Sequence, residues 1–234
     1  MRIWDIHPGY LNRQSLLGEH RELHGIVSII VNGKKGYSRH PETVRWLKHE
    51  WALRMRHEQL TCEMDLRGYT DRSPVTICSN KGVWPSIYID PPHRQFILLK
   101  EKYTGKEEGR IPLPKNEHEL WAQHKYSVLA RDEKLYKNIG RDVSKNAIEF
   151  EKLSKLLIEI LRQRPAQGGI RNAIEHMWGY VSSEALKDGL HVSDFSLQEL
   201  LSEIQKRVTA NNVVYLLGST ALSELAVWLN EEPI

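Results

Sequence analysis

Apolar residues recur at three- and four-residue steps through most of this 234-residue chain, and breaks rich in glycine and proline separate the runs. That spacing places the apolar side chains on one face of successive helices, so the expected fold is all-α. The first helix spans Leu11 to Val27, with Leu16, His20, Leu23 and Val27 toward a core. At 100° per residue Gln14, Gly18, Arg21 and Gly25 fall on one opposite line, with Ser15 and Glu22 beside it. His40-Pro41-Glu42 opens a second helix, because proline suits the first helical position and an early acid complements the helix dipole. It is expected to run to Arg67, with Val44, Leu47, Trp51 and Met55 apolar, Arg45, Lys48, Arg54 and Arg56 around its surface, and Gly68 as terminator. Residues 69–91 carry three prolines and two three-residue β-prone runs, which favours an irregular loop over a hairpin, and Pro91-Pro92 then starts a helix to Tyr103.

Residues 104–116, TGKEEGRIPLPKN, combine glycine, proline and charge. They divide the chain into a compact helical domain at 1–105, a linker at 106–116 and a second helical domain at 117–234. Helices are expected there at 117–130, 135–139, 144–164, 170–181, 196–210 and 221–229. The charge changes at the same place. Residues 1–115 hold 19 Lys and Arg against 13 Asp and Glu, net +6, whereas the remainder hold 14 against 17, net −3. An excess of positive charge confined to one half points to an anionic partner for that half, with an ordinary mixed surface as the alternative. No apolar run reaches 18 residues and the N-terminus lacks the pattern of a secretory signal, so a cytoplasmic protein is expected. Cys62 and Cys78 make neither a disulfide framework nor a metal-ligand set.

Among the eleven histidines, His20 and His24 stand four apart on a helix with Glu22 between them. The zinc-protease pattern needs its glutamate directly after the first histidine, and Arg21 occupies that place. A satisfied helix histidine is therefore the preferred reading, and no metal is expected. Phosphate-loop, dinucleotide-binding and serine-hydrolase patterns are also absent, so no cofactor is expected.

The N-terminus is chemically the richest part. Ile3, Trp4 and Ile6 would anchor it to a core. A free α-amine has a reference pKa of about 7.7–8, so part of it is neutral and nucleophilic near pH 7. Retention of Met1 is expected because Arg2 is bulky, which would make the amine that of Met1. For Arg21 and Glu22 the alternative is a plain surface ion pair.

The stretch Met1-Arg2-Ile3-Trp4-Asp5-Ile6-His7-Pro8, with Leu11, Gln14, His20-Arg21-Glu22-Leu23 and Val31-Asn32-Gly33-Lys34, resembles the pyrimidine dimer DNA glycosylases related to phage endonuclease V. The resemblance spans residues 1–105. It implies that the α-amine of Met1 attacks the sugar C1′ of the damaged nucleotide and that Glu22 is the essential acid. It also implies that Arg2, Gln14 and Arg21 bind DNA and shape the site. Excision would pass through an imine, and β-elimination would nick the strand. The partner implied is double-stranded DNA with a damaged base, with no membrane and no small-molecule cofactor. The phage enzyme has a histidine just after the glutamine and an arginine three residues after the glutamate. This chain has Ser15 and Gly25 there, and it lacks the aromatic-basic C-terminal tail. A different base lesion and a non-catalytic binder of damaged nucleic acid stay open as alternatives.

Lys34, Lys35 and Arg39 are candidates for backbone phosphate contacts, or a solvated loop, and Trp84 is a candidate for base stacking. Trp46 and Trp51 have core spacing. The second half resembles an uncharacterised helical bacterial domain through Leu120–Tyr126, Tyr136–Arg141 and the stretch from Arg164 to Tyr180. His124, Lys125, Arg141, Asn172 and His176 could line a polar pocket there, although satisfied structural hydrogen bonding is the preferred reading.

Overall fold

Helices form where the apolar spacing coincides with a cap, and the computed structural model describes residues 1–183 and 190–231. No strand occurs among the described residues, as the sequence leads one to expect. The chain divides into two compact units, Met1–Gly109 and Arg110–Ile234.

The first unit holds α1 (Arg13–Asn32), α2 (Pro41–Trp46), α3 (Glu50–Leu66) and α4 (Pro92–Lys102), preceded by a 3₁₀ turn at Pro8–Tyr10. Asn12 caps α1 by accepting the Ser15 N–H at 2.9 Å, and Gly33 ends it with φ +60°. Leu16, Leu23 and Ile26 of α1 are sealed against a core that includes Leu53, Leu60 and Met64 of α3. Residues 69–91 are irregular, and Gly68 terminates α3 with φ +77°, both as expected.

The single helix expected over 41–67 is two helices. Leu47 is extended and Lys48 lies at φ +66°, a conformation no α-helix can include. The loop ahead of α4 offsets the break. Ser79 O accepts the Trp51 N–H at 3.0 Å, and Asn80 Nδ2 donates to Lys48 O at 2.8 Å. The change of direction leaves Val44 and Leu47 exposed. It also buries Arg45 and Arg56, which the helical spacing had placed on the surface.

In the second unit α5 (Glu117–Leu129) is the central helix, touching α6 (Glu133–Ser144), α7 (Phe150–Leu161), α8 (Gln167–Trp178) and α11 (Ala221–Asn230). A 3₁₀ turn at Val192–Asp194, α9 (Leu197–Ala210) and α10 (Val214–Leu217) are its other elements among the described residues. The helix expected to begin at Ser144 begins at Phe150, since Asn146 takes φ +51° and Glu117 Oε1 accepts the Phe150 N–H at 2.9 Å. The stretch 106–116 is anchored at points along its length, with most of its residues exposed. Glu107 O accepts from Asn12 Nδ2 at 3.1 Å in the first unit, while Ile111 is fully buried in the second.

Candidate active site

The first six residues are held in place by polar groups reaching up from the helices. Glu19 of α1, buried, accepts the Trp4 N–H at 3.2 Å and pairs with Arg56 of α3 through two bonds of 2.8 and 3.0 Å. Arg56 also donates to Ile6 O at 3.0 Å. From α4, Gln95 Oε1 accepts the Asp5 N–H at 2.8 Å while its Nε2 donates to Asp5 Oδ2 at 2.9 Å and Asp90 O at 2.7 Å. Asp5 Oδ1 takes Arg45 at 2.8 Å. Burial pushes the Glu19 and Glu42 carboxyls up, against the pull of Arg56 and Arg45 respectively. A chain terminus normally frays. Here Ile3, Trp4 and Ile6 are buried and their flanking backbone is hydrogen-bonded.

That anchoring brings the Met1 amine to 3.9 Å from Glu22 Oε1, and the Arg2 backbone N–H donates to Glu22 Oε2. The carboxylate thus faces the amine with its second oxygen already engaged, and its side chain is 42% exposed. Solvent or a ligand can reach it. Gly18 and Gly25, one turn to either side of Glu22, face open space where a Cβ would meet nothing within 4 Å. The helix surface beside the carboxylate is therefore bare enough for another backbone to approach.

Gln14 and Arg21 are exposed on the same side of α1, whereas Ser15, expected beside them, is buried. The Arg2 guanidinium pairs with Asp90 and lies 4.3 Å over the Trp4 ring, so its side chain helps anchor the terminus. Lys34, Lys35 and Arg39 are all exposed in the segment between α1 and α2, with Lys34 Nζ donating to Ser28 Oγ at 2.7 Å. Among them stands Tyr37, 73% exposed, which the sequence reading missed. An aromatic inside a basic segment was the available signal. Trp84, expected to be open for stacking, meets Trp51 edge-on at 5.9 Å and extends the core. Glu19 and Arg56 were also overlooked, because charged residues at helical spacing read as surface.

In the second unit, of the suggested pocket residues, Lys125 and His176 both meet the Tyr126 ring. His124 is buried with its Nδ1 2.9 Å from Leu120 O, and burial holds it down at about 4. Arg141 is exposed and bonds Asn138, while Lys125 lies 4.9 Å from the Tyr126 and Tyr215 rings.

On the side of α1 away from Glu22, His20 and His24 meet His57 of α3 and Asp71 of the following loop. Each offers one donor atom, and the four atoms lie within 4.8 Å of one another. Burial and the neighbouring imidazoles hold His20 and His24 below the usual histidine range, Asp71 opposing. These four residues could hold a metal ion.

Comparison with known proteins bears on both units. Residues 1–77 match the family model described as pyrimidine dimer DNA glycosylase, and residues 125–224 match a model described as a protein of unknown function, DUF1722. No curated protein and no solved structure matches the chain. The first match ends within the loop after α3, so it covers the N-terminal segment, α1 and Glu22 but not α4. The chain is therefore similar to the pyrimidine dimer DNA glycosylase family over residues 1–77 of its first unit and to an uncharacterised family over residues 125–224 of its second.

Proposed function

We propose that the first unit excises UV-type pyrimidine dimers from double-stranded DNA and nicks the strand as a metal-independent lyase, with Met1 as nucleophile and Glu22 as acid and base. One observation carries this reading: an anchored N-terminal amine 3.9 Å from a half-exposed carboxylate on a bare helix face. Deprotonated, the amine bonds to C1′ as the glycosidic bond breaks, and the base departs with the bonding electrons and a proton. The nitrogen's lone pair then expels O4′ from C1′ as the sugar ring opens, O4′ taking the nitrogen's remaining proton, which leaves an imine to C1′. Removal of a proton from C2′ then expels the 3′ phosphate by β-elimination. Glu22 is placed to take the amine proton first and to stabilise the cationic sugar next. Its bond from the Arg2 N–H keeps the carboxylate aimed while the charges change.

Gln14 and Arg21 flank the bare face and suit phosphate oxygens, which charge-assisted hydrogen bonds satisfy well. Lys34, Lys35 and Arg39 would extend that contact along the duplex, with Tyr37 among them as a stacking platform in place of Trp84. A damaged nucleotide, being poorly paired, costs least to extrude toward the amine. The test is incubation of the untagged full chain with dimer-containing DNA and borohydride. A covalent adduct mapped to the Met1 nitrogen is expected. Absence of the adduct, or nicking that survives an N-terminal extension or Glu22→Gln, overturns the mechanism. Adduct formation only with other lesions overturns the substrate.

A further inference from the structure

We propose that His20, His24, His57 and Asp71 form a four-ligand structural site for one divalent transition-metal ion of the zinc type. The distances fit. Zinc–nitrogen bonds of about 2.0–2.1 Å in a tetrahedron set ligand atoms about 3.3 Å apart. His20 Nε2 lies 3.3 Å from His24 Nε2 and 3.2 Å from Asp71 Oδ1, and His57 Nε2 lies 3.7 Å from Asp71 Oδ2. The three imidazole rings form a nearly equilateral group, with centroids 4.6, 5.1 and 5.0 Å apart.

His57 supplies the independent observation. Its side chain is 1% exposed, and neither ring nitrogen has a hydrogen-bond partner among the described residues. A buried imidazole left in that state is costly, and an ion bound by Nε2 would satisfy it. Glu58 Oε1, 3.8 Å from His57 Nδ1, is the carboxylate available to orient the ring from outside. Three nitrogens and one carboxylate oxygen suit zinc, and cobalt as its spectroscopic substitute, better than magnesium or calcium.

The role is structural. All four positions of a tetrahedron are filled by protein, and Glu22 points away from the cluster, since it lies two residues and so about 200° around α1 from both His20 and His24. The ion would tie the loop after Gly68 to α1 and α3, and so brace the helix that carries Glu22. This proposal stands independently of the glycosylase mechanism. The His20-x₃-His24 spacing is visible in the sequence, but the third and fourth ligands are 33 and 47 residues further along than His24.

The full chain, purified without a histidine tag, is expected to hold about one zinc per molecule by elemental analysis. Metal-stripped protein should gain thermal stability on addition of Zn²⁺ and show the intense visible bands of four-coordinate cobalt on addition of Co²⁺. Asp71→Asn and His57→Gln should each weaken Zn²⁺ binding by more than the roughly 10–100-fold that loss of an outer partner costs. If either variant fails to fold, the cobalt spectrum of the unaltered chain decides. Protein that carries no zinc and is not stabilised by it, or cobalt bands of a six-coordinate ion, overturns the proposal.

Discussion

The two units bury charge differently. In the first, Glu19, Glu42, Arg45, Arg56 and Glu63 are all buried, and each is tied to a backbone group or to a partner that is. In the second, the buried charge among the described residues is one pair, Arg131 and Glu224 at 2.6 Å, on α11 and just after α5. A buried ion pair is a weak way to gain stability, because desolvation cancels much of the attraction. It is a good way to fix a backbone that has no helix or sheet to hold it. Residues 1–7 are such a backbone, and Glu19, Arg56 and Gln95 supply the hydrogen bonds a neighbouring strand would have given. In the second unit the buried pair ties helix ends together instead, through Arg131 bonds to Ser127 O, Leu161 O and Gln163 O.

Breaking one pair in each unit tests this contrast. Glu19→Ala leaves Arg56 buried and unpaired, and Glu224→Ala does the same to Arg131. Each is expected to cost about 3–5 kcal/mol in its own unit, read from chemical denaturation followed by probes in that unit. The effects should separate in function. Glu19→Ala frees the Trp4 N–H and displaces the terminus, so borohydride trapping should fall even under conditions where the protein stays folded. Glu224→Ala should leave trapping unchanged wherever the first unit is folded.

The same contrast explains what could be read from the sequence. In the second unit α9 follows from its period and its Ser196/Glu199 capping box, whereas α6 spans Glu133–Ser144 against an expected 135–139 because Asp132 caps it earlier. The short α10 is too brief for periodicity to reveal. In the first unit the Lys48 break is invisible locally, because its support comes from Ser79 and Asn80, some thirty residues later. Met1, Arg2, Gln14, Arg21 and Glu22 could be singled out because they crowd one end of the chain and one helix face. The groups that position them, Glu19, Arg56, Asp90 and Gln95, come from three helices and a loop, and no spacing rule connects them.

His124 offers a pH test confined to the second unit. Its folded-state value is about 4 against an ordinary 6.5, so between those values the unfolded chain binds the proton first. The stabilising effect of the neutral ring is complete above pH 6.5 and is lost as pH falls toward 4. At 1.36 kcal/mol per unit the loss is about 3 kcal/mol. Denaturation midpoints of the second unit measured across that range should slope downward toward acid, and His124→Gln should remove this part of the slope. A smaller effect is expected at the α5–α8 crossing. A Cβ on Gly169 would lie 2.1 Å from Ala130 O, a clash with backbone that cannot swing aside. Gly169→Ala should destabilise the second unit by about 1–3 kcal/mol in the same assay.

Glycines in the first unit should behave in the opposite way. Gly18 and Gly25 sit inside α1 with negative φ and with open space where a side chain would go. Nothing in the fold requires glycine at either position. As interior helix residues they weaken α1 relative to alanine, so Gly18→Ala and Gly25→Ala should each raise stability by about 0.5–1 kcal/mol. If the bare face receives DNA, the added methyl groups stand where the substrate backbone approaches Glu22. Stability should then rise while trapping falls, and the loss should appear as weaker binding, with the rate at saturating DNA changed less. Alanine variants that are both more stable and fully active would show that the bare face is not the binding surface, and that DNA reaches Met1 from another side.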